Sequence, residues 1–192
     1  MITSVRLAHL LLKECIHNGD IVIDATAGNG YDTLFLSDCV GDAGTVIAID
    51  IQAEAINATR QVMELHQRSN ALYILGDHAA MNDALKEYEG NIAGISFNLG
   101  YLPGAIDHTI ITKSSSTISA LNACLTLLHE QGCISVIAYR GHDHGLEEAH
   151  AVEQWMHALP SQEWHVVSIS AINQSSTSPV VYFARKKSLR PQ

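Results

Sequence analysis

The stretch that decides the fold is Ile21-Val22-Ile23-Asp24-Ala25-Thr26-Ala27-Gly28-Asn29-Gly30-Tyr31-Asp32-Thr33. Three β-branched residues closed by a carboxylate form a continuous run, the pattern of a strand covered on both faces. Gly28 and Gly30 then permit a tight turn in which the backbone can approach a ligand closely, and a helix from Asp32 to Val40 presents unpaired N–H groups to that turn. The rest of the chain repeats the alternation. Short apolar runs predict strands at Thr45 to Asp50, Leu72 to Leu75, Ile92 to Phe97 and Cys133 to Tyr139. Apolar residues at helical spacing predict helices at Ala53 to Gln67, Ala79 to Tyr88, Thr117 to His129 and Leu146 to Leu159. A further helix, with Val5, Ala8, Leu12, Cys15 and Ile16 on one face, precedes the sheet and stops at Asn18-Gly19. Near the end, Trp164 to Ser170 and Val180 to Arg185 are joined by too few residues for a crossover helix, so they must pair antiparallel. The expected fold is α/β: a Rossmann-like doubly wound seven-stranded sheet, mostly parallel with an antiparallel C-terminal strand. No repeat or linker interrupts residues 1–192, which predicts a single domain.

Composition narrows the function. With 47% hydrophobic and 16% charged residues among 192, the chain has the make-up of a globular core, neither disordered nor collagen-like. Eleven Lys and Arg against 20 Asp and Glu give a net charge of −9, so any contact with RNA must be local. No apolar run approaches the roughly 20 residues of a membrane span. The four cysteines, Cys15, Cys39, Cys124 and Cys133, form no CxxC pair and suit a reduced compartment. A cytoplasmic protein with no membrane attachment is expected.

In an open α/β sheet, ligands bind at the carboxyl ends of the strands, where strand order reverses. Three such ends converge. Asp24, Thr26, Gly28, Asn29 and Gly30 follow the first strand; Asp50, able to accept both hydroxyls of a ribose, closes the second; Asp77 and His78 follow the third, within reach of an adenine. Together they predict a nucleoside cofactor. A dinucleotide would want a small third residue at the position of Thr33, and Asp32 beside the turn suits a ligand with ammonium and sulfonium groups better than a pyrophosphate. S-adenosyl-L-methionine fits that charge.

These residues resemble the class I S-adenosylmethionine-dependent methyltransferases. Within that class, DATAGNGYDT, AID with Gln52 two places later, GDHAAM, FNLGYLPG and YRGH followed by Glu147-Glu148 resemble a small family labelled "putative rRNA methylase" (YtqB-like). Its members are assigned as MnmM, the tRNA 5-aminomethyl-2-thiouridine methyltransferase. The resemblance implies methylation of the exocyclic amine at the tRNA wobble uridine, giving 5-methylaminomethyl-2-thiouridine. Thr26 departs from the usual turn by replacing its first glycine, and His144 stands where the family has glycine.

Phe97-Asn98-Leu99-Gly100-Tyr101 closes the fourth strand and resembles the Asn-Pro-Pro-Tyr motif of amino-nitrogen methyltransferases. Transfer to an amine needs a neutral nitrogen whose lone pair is aligned with the methyl. The Asn98 side-chain oxygen and the Leu99 carbonyl can accept the amine's N–H bonds, and Tyr101 can stack on a base or close the pocket. Lys113, Arg140 and His142 fall near the same edge and are expected on the substrate side, with His142 a candidate base. His142-Asp143-His144 lacks the further ligands of a zinc site, so no metal is expected. Arg185, Lys186, Lys187 and Arg190 crowd the C-terminus and, with Lys113 and Arg140, are candidates to hold phosphates around the anticodon of a tRNA. A homodimer stays open. So do methylation of rRNA or of a small-molecule amine, a nucleotide-binding oxidoreductase, and a non-catalytic RNA-binding module.

Overall fold

The computed structural model describes residues 2–100, 112–141 and 144–188. Thr3 caps the first helix, α1 (Ser4–Lys13), its hydroxyl accepting the Arg6 N–H at 3.2 Å. β1 (Ile21–Asp24) then enters the middle of a seven-stranded sheet of order β3-β2-β1-β4-β5-β7-β6. The remaining elements are α2 (Tyr31–Val40), β2 (Thr45–Asp50), α3 (Ala53–Leu65), β3 (Ala71–Leu75), α4 (Met81–Ala84), β4 (Ile92–Asn98), α5 (Ser114–Leu127), β5 (Leu128–Ala138), α6 (Gly145–Ala158), β6 (Trp164–Ile169) and β7 (Val180–Lys186). β1 pairs parallel with β2 on one side and with β4 on the other. β7 runs antiparallel to both β5 and β6. The C-terminal pair therefore forms as expected, and β7 alone runs against the sheet.

Strand geometry sends successive side chains to opposite faces, and here both faces are covered. Val22, Val46, Ala93 and Cys133 join Leu12, Leu36 and Phe183 in one core layer. Their neighbours Ile23, Ile47 and Ile134 join Phe97, Leu121 and Trp164 in the other. Each fully buried Val or Ile contributes roughly 1.5–3 kcal/mol, so the short central strands are held from both sides. Gly94 in β4 serves this packing, because a Cβ there would lie 2.9 Å from the Cδ1 of Ile16.

Four expectations are corrected. α1 ends at Lys13, and Cys15 and Ile16 stay buried in the turn that follows, with both N–H groups bonded to the Leu12 carbonyl. The stretch from Ala79 to Tyr88 is two short 3₁₀ turns around α4 rather than one helix. It has only Met81 and Leu85 as buried apolar anchors, and Leu85 leaves helical geometry at φ −118°, ψ 23°. β5 begins at Leu128 because the chain pairs with Ile92 there, ahead of an irregularity in register. β3 is not covered on both faces: it is an edge strand, and Leu72 and Leu75 stay exposed.

Candidate cofactor and substrate cleft

Strand order reverses between β1 and β4, and a cleft of about 710 Å³ opens at the carboxyl ends of the strands there. One half of it is organised by backbone groups. The Gly28 N–H donates to Asp50 Oδ2 and the Gln52 N–H to Asp50 Oδ1, both at 2.9 Å, so one carboxylate at the end of β2 organises two loops. Each oxygen keeps acceptor capacity beyond that bond. Thr59 of α3 donates its hydroxyl to the Gly28 carbonyl at 3.2 Å. Gly30, at φ +82°, packs so tightly that a Cβ would meet the Thr59 Cα at 2.7 Å. Beneath the turn, Asp24 is 1% exposed; it accepts the Thr33 hydroxyl at 2.6 Å and the Thr26 N–H at 3.3 Å. Burial, reinforced by the Asp32 charge, pushes its carboxyl up to about 7. His78 lies buried beside the cleft with its ring edge-on to Phe97, and its Nε2 finds no partner. Burial lowers its pKa and favours the neutral ring.

The other half is a side-chain network. The Asn98 backbone N–H donates to the Thr26 hydroxyl at 2.7 Å, tying the end of β4 to the glycine turn. Asn98 Nδ2 donates to Asp32 Oδ2 at 3.0 Å. A carboxylate has only acceptors, so the amide must show it the NH₂ group, leaving Oδ1 for the cleft that Asn98 lines. The second Asp32 oxygen pairs with His9 Nε2 at 2.7 Å, and the His9 ring stacks on Phe35 at 3.6 Å between centroids. The two residues flanking 101–111 are tied together. Gly100 N–H donates to Thr112 Oγ1 at 3.0 Å and Thr112 N–H to the Gly100 carbonyl at 3.1 Å. Glu148, 2% exposed, accepts the hydroxyls of Thr112 at 2.7 Å and Thr117 at 2.6 Å and anchors that neck to α6.

Comparison with known proteins gives this geometry a family. The family model described as "Putative rRNA methylase" matches residues 46–185. The chain belongs to that family. A relative from Arabidopsis thaliana, named "tRNA (mnm(5)s(2)U34)-methyltransferase, chloroplastic", is 37% identical over 194 residues, covering 96% of this chain and 69% of its own. A solved structure described as a "putative rRNA-methylase" from Clostridium thermocellum superposes with a TM-score of 0.90 at 34% identity, covering 97% of this chain and 98% of its own. A methyltransferase from Streptococcus mutans, crystallised in complex with SAH, gives 0.85 at 33% identity, with 97% and 99% covered.

As a member of the rRNA methylase family the chain is an S-adenosylmethionine-dependent methyltransferase. Its residues fit that cofactor: Asp50, whose oxygens keep acceptor capacity, lines the cleft, and His78 beside it carries a buried ring nitrogen without a partner. Of the residues singled out in the sequence, Thr26, Gly28, Asn29, Asp32, Asp50, Gln52, Asp77, His78, Asn98, Leu99 and Lys113 line it. Asp24 and Gly30 do not; they support the turn from below and behind. Asp32 lines the cleft with its carboxylate held between His9 and Asn98. Asp77 spends one oxygen on capping, accepting the Ala79 N–H at 2.9 Å. Arg140 is not a cleft residue, and its Nε donates to the Ser178 carbonyl at 3.0 Å. Tyr101 and His142 lie outside the described residues, as does Arg190.

The basic residues of β7 lie away from the cleft. β7 is antiparallel, so Val180 sits opposite Ala138 near the cleft while Arg185 sits opposite Cys133, five residues or about 17 Å toward the other end of the sheet. Lys186 and Lys187 there donate to the carbonyls of Leu128 and Ser161. Sequence reasoning missed His9, Tyr139 and Glu148 as parts of the site. The one signal for His9 was a polar residue interrupting the apolar run Leu7 to Leu12. Among the described residues no group of three or more His, Cys, Asp or Glu is placed to hold a metal, and no helix is long and apolar enough to cross a membrane.

Proposed function

We propose that this methyltransferase acts on the exocyclic amine of 5-aminomethyl-2-thiouridine at the wobble position of a tRNA, giving 5-methylaminomethyl-2-thiouridine. The observation that carries this reading is the orientation of Asn98: its NH₂ is committed to Asp32 at 3.0 Å, so the acceptor oxygen is left for the cleft. An acceptor suits the N–H bonds of an amine, whereas a ring-carbon nucleophile offers no polar hydrogen to it. The printed name of the Arabidopsis relative supports the same substrate.

In this reading Asp50 takes the ribose hydroxyls, the Gly28 and Asn29 backbone lies against the methionine portion, and Gln52, Asp77 and His78 flank the adenine. S-adenosylmethionine supplies an electrophilic methyl on a sulfonium. Asn98 Oδ1 and the Leu99 carbonyl accept the N–H bonds of the amine and aim its lone pair, a positioning effect that can carry much of the rate. Thr26 supports Asn98 from behind, which accounts for a hydroxyl where the common turn has glycine. Lys113 is an exposed cation on the lining of the cleft, and the RNA partner is the anticodon region. The cysteines are all unpaired, which supports a cytoplasmic site of action.

The test is transfer of labelled methyl to undermodified tRNA, with nucleosides resolved by mass spectrometry and rRNA and a metabolite extract as parallel acceptors. Label in the wobble nucleoside is expected, and Asn98→Ala should bind cofactor normally while losing turnover. Label confined to rRNA or to a metabolite would replace the substrate; normal turnover by Asn98→Ala would remove its role.

A further inference from the structure

Asp32 is wedged between two partners that no glycine-turn motif calls for. His9 reaches it from α1 and Asn98 from the end of β4, one to each carboxylate oxygen, at 2.7 and 3.0 Å. The side chain is 13% exposed and its remaining face is on the cleft. A carboxylate held within one hydrogen bond of the amide that receives the amine is placed to meet the amine's own charge. An aminomethyl group is largely an ammonium at neutral pH, with no lone pair to donate, so some group must remove a proton before transfer.

We propose that Asp32 is that group, with His9 as the positioning residue that holds it. This rests on the amine reading above. One N–H bond of the bound ammonium breaks, an O–H bond forms on Asp32, and the bonding pair stays on nitrogen as the nucleophile. Asp32 then returns the proton to water at the cleft, and its carboxylate faces the methylated product, which is again a cation. His9 acts through Asp32: its Nε2–H fixes one oxygen, and stacking on Phe35, with Lys13 Nζ 5.6 Å from the centroid of that ring, fixes the imidazole. The other titratable groups facing Asp32 are Asp24 from β1 and Tyr139 beyond β5. Tyr139 is held protonated by burial and by the Asp32 charge.

The experiment compares wild type, Asp32→Asn, His9→Phe and His9→Gln with anticodon stem-loops carrying 5-aminomethyl or the uncharged 5-hydroxymethyl group. Binding comes first: wild type should prefer the aminomethyl loop about tenfold, and Asp32→Asn should lose that preference while binding SAH normally. In single turnover at pH 7, Asp32→Asn should slow transfer about 100-fold and recover about tenfold per pH unit on the alkaline side, as hydroxide takes over the deprotonation. His9→Phe, which keeps the ring stack without the N–H, should slow transfer, and His9→Gln, which restores an N–H donor, should regain most of the rate. An Asp32→Asn protein with the wild-type preference and pH profile overturns the assignment. So does one that loses SAH affinity, since Asp32 would then belong to the cofactor. If wild type leaves the amine unmethylated, the substrate reading falls and this inference falls with it.

Discussion

Replacing Asp24 by Asn should make the protein more stable at neutral and alkaline pH and leave it unchanged in acid. Asp24 is 1% exposed, and its carboxyl is pushed from an ordinary 3.8 to about 7, first by burial and then by the charge of Asp32. The folded chain therefore holds this proton more tightly than the unfolded chain. Stability from that preference is complete below pH 4 and is lost as pH rises through 7. At about 1.4 kcal/mol per pH unit, the wild type gives up about 2 kcal/mol by pH 5.5 and about 4 kcal/mol by pH 8. Asn is neutral throughout. Its oxygen can accept the Thr26 N–H and its NH₂ can donate to the Thr33 hydroxyl, so the local contacts survive the change. Urea unfolding at half-unit steps from pH 4.5 to 8.5 gives the difference in free energy between the two proteins, in which titrating groups other than Asp24 and its charged neighbours Asp32 and Asp50 cancel. The difference should open from near zero to about 4 kcal/mol in favour of Asp24→Asn. Parallel curves would show that Asp24 is ionised in the fold at no cost, and the account of the turn as resting on a buried acid would be wrong.

Gly30→Ala and Gly19→Ala separate sterics from backbone strain. Both glycines have positive φ, but a Cβ at Gly30 meets the Thr59 Cα at 2.7 Å while one at Gly19 meets nothing within 4 Å. The left-handed conformation costs each variant about 1–2 kcal/mol, and overpacking adds about 1–3 kcal/mol at Gly30 alone. Gly30→Ala should melt roughly 2–12 °C below Gly19→Ala; equal melting points would remove the packing role. Asp50→Ala should weaken SAH binding about 100-fold by calorimetry, because two loops lose their shared acceptor along with the ribose contact; unaltered affinity would take Asp50 out of the site. Thr26→Val keeps the volume but strands the Asn98 N–H, so it should lower the single-turnover rate more than the SAH affinity, and an equal fall in both would place Thr26 with the cofactor instead. Lys186→Glu with Lys187→Glu should leave tRNA methylation and its salt dependence unchanged, since both cations sit at the far end of β7; a markedly flatter salt dependence would mean that RNA reaches round the sheet.

The sheet was legible because its information is local. Continuous apolar runs such as Ile21-Val22-Ile23 announce strands buried on both faces, and the short connection before Val180 allows only an antiparallel return. That Gly28, Asp50 and Asp77 line one cleft was legible for the same reason, since each lies at or within four residues of the carboxyl end of a strand. What was not legible is long-range. His9 meets Asp32 across 23 residues and Asn98 meets Asp32 across 66. No periodicity or spacing records either pairing. Composition counts Arg185 and Lys186 as charge but carries no strand direction, and β7 places them at the end of the sheet away from the cleft.

This division has a physical consequence for how such a site works. The Asp50 side of the cleft depends on main-chain groups and one carboxylate. The Asn98 side depends on the Thr26 hydroxyl, on Asp32 and on His9, each of which fixes Asn98 directly or through a neighbour, and these come from a turn and from two separate helices. Thr26 and Asp32 lie only six residues apart on the glycine turn and the helix it opens, yet one grips the Asn98 backbone and the other its side chain. The glycine turn therefore also sets the angle of the Asn98 amide, and in the proposed reading donor and acceptor are aligned through a single short segment. A substitution there that leaves cofactor affinity intact can still misdirect the nucleophile, which is why Thr26→Val is expected to separate rate from binding.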